Sequence, residues 1–451
     1  MKVLFLNPPV IRFNSDNPEF DPRVNSIWLK WKLLFRRYPK IWYFLDNIGI
    51  AKGVRFGVRA GSRWPWTADF PLHAIHYPFI MAYAASYLRE KGINATIIDA
   101  VAEEEFDYYK FIQRINHEKP DIAVIECSTP TIDIDLWMAK KISNFCKVAL
   151  AGPHLTDENV HDIQKEYPEI SFFLKGEYIY SSYKMIQKME PGIFDAEVVS
   201  DLDSIPFPFR DYLSSTFYFD PTMPTPRPQL QIYGSKGCPF KCSYCMWPQV
   251  MYNGKVALRD PKKIAEEIKL CVQKYGYKSI FFDDDTFNLG DQRISKLCDE
   301  LKEIGLPWTM MGRLDCSPIW LYDKMVESGC VGMRFGIETF NHHVLERINK
   351  GIERVDFLRI LSYICKTYPT LMIHVTMMKD LPGQTEEIHQ NDMDILHSLN
   401  FHNNSPFRSY QIASCVPFPG TQLYKELEKK YGTEFLKDFS KYDGAQKTIV
   451  Y

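Results

Sequence analysis

The sequence predicts an α/β protein made of two successive regions in which strands and helices alternate. Two observations predict it. Short apolar runs ending in Gly, Pro, Asn, Ser or Thr recur from Lys2 to Glu177 and again from Leu230 to Thr421. Between them lie helix-length periodic segments, the pattern of parallel strands joined by crossover helices. The stretch 201–229 separates the two regions. It holds Pro206, Pro208, Pro221, Pro224, Pro226 and Pro228 and reads as an extended connector. The expected division is a first domain over 1–200, this linker, a second domain over 230–430 and a short tail over 431–451.

Composition narrows the class. With 451 residues the chain is long enough for two or three domains and a large core. Its apolar content of 45% beside 24% charged residues is ordinary for a soluble protein, and the net charge of −2 draws it to neither nucleic acid nor an anionic membrane. No apolar run reaches membrane-spanning length, and the first residues enter a strand rather than a signal peptide. The eleven cysteines are mostly isolated, which suits reduced thiols in a cytoplasm better than a disulfide framework.

The first region opens with Lys2–Asn7, an apolar run that ends at Asn7-Pro8-Pro9. A helical pattern from Pro78 to Lys91 and a strand Ala95–Ile98 follow. Next come a helix near Tyr108–His117, the strand Ile122–Glu126 ending in Cys127-Ser128-Thr129, and a helix over about 134–145. The strands Val148–Ala151, ending in Gly152-Pro153-His154, and Ser171–Leu174, ending in Lys175-Gly176-Glu177, complete the alternation. This predicts a doubly wound, Rossmann-like parallel sheet, whose ligands sit beyond the carboxyl ends of its strands. No Gly-x-Gly-x-x-Gly follows the first strand, which argues against a dinucleotide.

Residues 11–75 fall outside this pattern and read as an insertion. Ile27–Arg37 is aromatic, basic and helix-like, and Ile41–Leu45 continues the theme. Such a helix suits either a membrane surface or a lid whose cationic stems cover apolar surface. The lid is the favoured reading, because only one short stretch is basic. Arg59-Ala60-Gly61-Ser62-Arg63-Trp64-Pro65-Trp66 is harder to explain as packing and suits the lining of a cofactor–substrate space.

In the second region six strand-plus-helix units follow one another. Their strands are Leu230–Tyr233, Ser279–Phe282, Trp308–Met311, Gly332–Gly336, Met372–Met377 and Tyr410–Ala413. The loop after the first carries Gly237-Cys238-Pro239-Phe240-Lys241-Cys242-Ser243-Tyr244-Cys245. Each of Cys238, Cys242 and Cys245 can hold one iron of a 4Fe–4S cluster, and the missing fourth ligand leaves one iron open to a small molecule. The plainer alternatives are a zinc knot or three core cysteines. Zinc sites usually carry four ligands in paired sets, and no second pair follows here. The other eight cysteines show no Cys-x-x-Cys and read as small buried hydrophobes, with Cys415 placed to face the site.

This spacing resembles the signature of the radical S-adenosylmethionine (SAM) superfamily, and the six units resemble its partial (β/α)6 barrel. The resemblance implies that SAM chelates the open iron and is cleaved to a 5′-deoxyadenosyl radical. It further implies that Asp283, Asp284 or Asp285 meets the SAM amino group, Arg313 its carboxylate and Glu338 a ribose hydroxyl, with Tyr244 and Met246 flanking the adenine. A helix cap for the acidic triplet, and internal ion pairs for Arg313 and Glu338, are the competing structural roles. The first region resembles the cobalamin-binding domain that precedes the barrel in one class of these enzymes. Asn7, Ser128, Thr129, Gly152, Pro153, Gly176 and Glu177 are thereby implied cobalamin contacts. The Asp-x-His-x-x-Gly motif of cobalt-ligating histidines is absent, which leaves His73, His76 and His154 as the nearest substitutes.

Together the two halves resemble the cobalamin-dependent radical SAM enzymes over nearly the whole chain. The implied activity is C-methylation of an unactivated carbon. The 5′-deoxyadenosyl radical abstracts a hydrogen atom, and methylcobalamin then donates the methyl group. The short tail is also similar to that of enzymes methylating a peptidyl glutamine in methyl-coenzyme M reductase. The alternative is a cyclase or carbon-skeleton rearranging enzyme acting on a tetrapyrrole or hopanoid-like substrate. A peptide or small-molecule substrate, a flavodoxin or ferredoxin as electron donor and a monomeric state complete the expectation.

Overall fold

The computed structural model describes residues 1–9 and 76–433 apart from 104, 106, 352, 353, 403 and 404. It also describes part of the stretch beyond 433 and short backbone segments within 10–75. The aromatic and basic run of the insertion, Arg59–Trp66 for the most part and His73 lie outside the described residues. Two compact units result. One comprises Met1–Val198, Pro206–Phe217 and Gly432–Ala445, and the other Val199–Ile205, Tyr218–Tyr431 and Gln446–Tyr451. The α/β class read from the sequence holds in both.

In the first unit, β1 (Lys2–Asn7), β2 (Asn94–Asp99), β3 (Ile122–Glu126), β4 (Lys147–Gly152), β5 (Phe172–Lys175) and β6 (Gly192–Phe194) form one parallel sheet in the order β2-β1-β3-β4-β5-β6. Helices α1 (Phe79–Glu90), α2 (Tyr108–Glu118), α3 (Ile132–Ile142), α4 (Val160–Glu166) and α5 (Ile179–Lys188) connect them. The strands read as continuous apolar text because both faces are covered, and β3 is buried at every residue. Helix α2 starts where Asp107 accepts hydrogen bonds from the Tyr109 and Lys110 amides and ends at Lys119 in the left-handed region. Order reverses at β1, so a crevice opens between the carboxyl ends of β1 and β3.

The proline-rich 201–229 stretch is packed rather than a uniform extended connector. Pro206–Phe217 belongs to the first unit, where the Tyr77 hydroxyl donates to the Phe209 carbonyl at 2.7 Å and Arg210 lies 4.1 Å over the Tyr77 ring. Beyond 218 the chain belongs to the second unit, where Asp220 is buried and accepts two hydrogen bonds from Arg334. The tail is likewise folded. Leu436 and Tyr442 are fully buried, and Phe439 stands edge-on to His154 with ring centres 4.9 Å apart.

The second unit is a six-stranded parallel sheet in strict sequence order: β7 (Gln229–Ile232), β8 (Ser279–Phe282), β9 (Trp308–Gly312), β10 (Cys330–Glu338), β11 (Met372–Lys379) and β12 (Arg408–Ser414). Around it lie α6 (Pro261–Tyr275), α7 (Asp291–Ile304), α8 (Ile319–Glu327), α9 (His342–Arg347), α10 (Arg354–Thr367), α11 (Glu386–Ser398) and α12 (Gln422–Tyr431). Met333, Phe335 and Ile337 of β10 sit in the apolar core. Side chains alternate along a strand, so Arg334, Gly336 and Glu338 face the other way. Ile373, Val375 and Met377 of β11 repeat the pattern and leave His374 and Thr376 on that polar face.

Before α6 a charged group is buried with its partners. Arg259 is 1% exposed and donates to the Glu267 carboxylate at 2.6 Å, to Asp203 at 2.9 Å and to the Tyr233 carbonyl at 3.0 Å. Removing one member of such a group leaves an uncompensated buried charge. Arg259→Met is expected to destabilise the second unit by about 3–5 kcal/mol in equilibrium urea unfolding, and Arg259→Met with Glu267→Leu to recover part of that loss.

Candidate functional site

The cluster loop leaves the carboxyl end of β7 and is held there by the second and third residues of the acidic triplet after β8. Asp284 accepts the Gly234 amide at 2.8 Å and the Ser235 hydroxyl at 2.6 Å, and Asp285 accepts the Gly237 amide at 2.8 Å. These carboxylates brace the loop rather than capping a helix. Gly237 has φ of +85°, and a Cβ there would meet the Lys255 carbonyl oxygen at 2.2 Å, so only glycine fits. Cys238 lies with its Sγ 3.3 Å from the Thr286 hydroxyl.

The thiols crowd one another electrically. Burial pushes Cys245 well above the ordinary thiol range, and Cys242 and Cys238 push it further. Cys238 is raised by burial against the hydrogen bonds of Thr286 and the Phe240 amide, with Asp285 and Cys242 adding to the rise. Three thiolates gathered this way require a cationic partner. A cubane cluster, which places each sulfur on a different iron, suits three thiolates with no fourth cysteine in the loop.

Around the loop the remaining strand ends converge. Arg313, after β9, is held by Asn288, whose side-chain amide donates to the Arg313 carbonyl at 2.8 Å and accepts the Arg313 amide at 3.0 Å. Its guanidinium donates to both Asp315 oxygens at 3.0 and 2.9 Å and to the Lys350 carbonyl at 2.9 Å, and lies 3.5 Å over the Phe240 ring. The fork expected to meet a carboxylate of SAM is therefore engaged by Asp315.

Glu338 sits at a bulge where the pairing of β10 with β11 slips between Gly336 and Glu338, and its φ is +70°. That strained backbone aims the carboxylate back along the polar face, where Lys350 donates to it at 2.8 Å. A Cβ on Gly336 would lie 2.8 Å from the Glu338 carboxylate, so glycine makes room for the pair. The Tyr244 phenol is pushed well above its ordinary range by burial, then by Glu338 and Cys242, with a smaller contribution from Cys415. Tyr244, Glu338 and Cys415 thus share one neighbourhood. Met246 is buried beside it in the chain. Lys350, Asn288, Phe240 and Gly336 were not singled out in the sequence. Only the glycine at a strand end carried a signal for any of them.

In the first unit the sequence-selected residues stand at the carboxyl ends of β1, β3, β4 and β5, which are neighbours in the sheet. Asn7 donates to Asp99 at 2.9 Å, while its own side-chain oxygen is buried with no partner among the described residues. Thr156 carries a second buried oxygen of that kind. Gly152 and Gly176 form a bridge between strand ends. The φ of Gly152 is +112°, and a Cβ there would meet the Cys127 carbonyl at 2.7 Å. Pro153 and Glu177 are buried beside them.

Other expected contacts are engaged locally. The Ser128 hydroxyl pairs with Thr131 at 2.8 Å and Thr129 with His154 at 3.2 Å. The second ring nitrogen of His154 lies 3.4 Å from the Asn159 amide, so both of its nitrogens have neighbours within the unit. His76 is buried, at 4% exposure.

With this geometry in hand, comparison with known proteins is specific. Residues 232–395 match the radical SAM superfamily. The second unit therefore carries a radical SAM domain. It is 26% identical over 377 residues to an uncharacterised methyltransferase of Pyrococcus horikoshii, covering 77% of this chain and 78% of that protein. It is 23% identical over 419 residues to the anaerobic magnesium-protoporphyrin IX monomethyl ester cyclase of Rubrivivax gelatinosus, covering 86% and 70%. Among solved structures, the radical SAM methyltransferase TsrM of Kitasatospora setae, seen with cobalamin and a [4Fe-4S] cluster, superposes with a TM-score of 0.60 at 14% identity over 78% of this chain and 72% of that one. At that identity the likeness is one of fold, and it extends beyond the radical SAM barrel to the preceding sheet.

Burial holds the His154 imidazole down to about 3, against an ordinary value near 6.5. The folded chain therefore keeps it neutral while the unfolded chain takes up a proton below about pH 6.5. Stability of the first unit is full above that pH and falls as the pH drops toward 3, by about 2 kcal/mol at pH 5 from this residue. Urea unfolding at pH 7.5 and 5 is expected to show that loss, and His154→Gln to lessen it.

Proposed function

We propose that the chain is a cobalamin-dependent radical SAM C-methyltransferase acting on an unactivated carbon. The observation that carries the reading is the three-thiol loop at the mouth of a six-stranded parallel barrel, with no fourth cysteine in the loop. Cys238, Cys242 and Cys245 would each hold one iron of a 4Fe–4S cluster. When bound, the cluster supplies the electron that cleaves SAM, and the corrinoid supplies the methyl group.

The chain's own residues hold and orient. Glu338 and Tyr244 share the wall next to the cluster loop, which suits a ribose hydroxyl and an adenine edge. Asp284 and Asp285 set the loop's position, and an amino group meeting them would share their oxygens with the Gly234 and Gly237 amides, with the buried Asp283 next to them in the chain. Arg313, braced by Asp315, would meet the SAM carboxylate, and Lys350 holds Glu338 in place beside it. In the first unit the orphaned Asn7 oxygen lies at the crevice between β1 and β3, and Gly152, Pro153, Gly176 and Glu177 line the neighbouring strand ends, a set that suits a corrin and its nucleotide tail. His154, engaged on both sides, is not needed as a cobalt ligand in this reading.

A peptidyl glutamine is one substrate that fits the class, with a flavodoxin or ferredoxin donating electrons to a cytoplasmic monomer. Among the described residues no helix is long and apolar enough to cross a membrane. The similarity to the cyclase of Rubrivivax gelatinosus over most of the chain favours ring formation on a tetrapyrrole as the second reading.

Anaerobic turnover with methyl-labelled SAM, a reductant and methylcobalamin separates the two. Label is expected in the product, and product without label supports the cyclase. Cys242→Ala is expected to abolish 5′-deoxyadenosine formation, and its persistence would sink both readings.

A further inference from the structure

The cluster loop carries carbonyl groups with no regular secondary structure to receive them, and buried carbonyls require partners. One side chain gathers three of them. The Gln249 amide nitrogen lies 3.0 Å from the Cys242 carbonyl, 3.3 Å from that of Ser243 and 2.8 Å from that of Cys245. Its amide oxygen accepts the backbone N–H of Gln422 at 2.8 Å, at the first residue of α12. The amide orientation follows from this, with nitrogen toward the loop and oxygen toward the helix.

The surroundings make the arrangement rigid. Gln249 lies on a wide turn, Trp247–Met251, closed by the Tyr252 amide on the Trp247 carbonyl at 3.0 Å. The Ser243 carbonyl also receives the Leu423 amide at 3.0 Å, and the Ser243 amide donates to the Ile348 carbonyl at 2.9 Å. Asn349 donates to the Lys241 carbonyl at 2.9 Å. Two of the three carbonyls on Gln249 belong to the cysteines themselves, so the direction of those two thiols depends on the amide.

We infer that Gln249 is the positioning residue that aims the Cys242 and Cys245 thiolates and ties their loop to the start of α12. This rests on the reading of the three cysteines as cluster ligands. Gln249 donates to the backbone carbonyls of the loop. It acts by fixing the backbone from which the thiols project, as supporting groups orient metal ligands elsewhere.

The inference predicts that anaerobically reconstituted Gln249→Ala loses iron to a chelator about tenfold faster than the unmodified chain. Gln249→Glu keeps the length but sets carboxylate oxygens against three carbonyl oxygens, and is expected to lose iron at least as fast. In both, the reduced cluster is expected to give an altered electron paramagnetic resonance signal, whatever fall in unfolding midpoint the cluster-free chains show. A mere packing role would shift that midpoint and leave the resonance unchanged. If the alanine variant fails to fold, the isosteric Glu variant decides alone. Unmodified chelation rates and resonance in a folded variant would overturn the inference. An unmodified chain that binds no more iron than Cys242→Ala would overturn the cluster reading beneath it, a failure recognisable without either Gln249 variant.

Discussion

The constraint on which the second unit depends is the gathering of three thiols in one short loop. Burial raises the Cys245 thiol, and its neighbours Cys242 and Cys238 raise it further. A loop that keeps them together must be held by the protein from outside. Asp284 and Asp285 hold its start, Gln249 its centre, and Ile348 and Asn349 its far side. Asp284 and Asp285 follow the carboxyl end of β8, Gln249 lies on the turn after the loop, and Ile348 and Asn349 follow α9 in the connection beyond the carboxyl end of β10. A parallel sheet in sequence order places all such ends at one mouth, so the topology and the chemistry share a single origin.

The polar face of the barrel is more ordered than a ligand pocket alone requires. Arg334 is buried against Asp220, and the two ring nitrogens of His374 lie 2.9 Å from the Ser409 hydroxyl and 3.3 Å from the Gln411 side-chain oxygen. Burial, with Arg334 next, holds His374 down to about 4. These groups form a paired layer beneath the mouth. Above it, Glu338 and Lys350 repeat the principle with one more ion pair, set on a strained backbone that no strand would adopt without cause.

In the first unit the same logic appears with different residues. The strand ends are built from small and hydroxyl residues because β3, β4 and β5 pack tightly there, as the approach of Gly152 to the Cys127 carbonyl shows. Ser128 pairs with Thr131 and Thr129 with His154, while one buried oxygen of Asn7 has no partner among the described residues. Residues selected for position at a strand end therefore divide into those that shape the crevice and those with capacity left for a ligand.

The sequence alone determined the class of both units, the six-strand count of the second and the identity of the three thiols, because apolar runs, their end residues and cysteine spacing are local properties. It also placed Asp283–Asp285, Arg313 and Glu338 at strand ends, which is where the structure has them. It did not reveal that Arg313 pairs with Asp315, that Lys350 meets Glu338 from twelve residues away or that Gln249 reaches Gln422 across 173 residues. Nor did it show that the 201–229 stretch and the tail pack into the units. Those outcomes were decided by the tertiary structure, since a hydrogen-bond partner is chosen by proximity in space, and proximity exists only once the sheet has closed around its core.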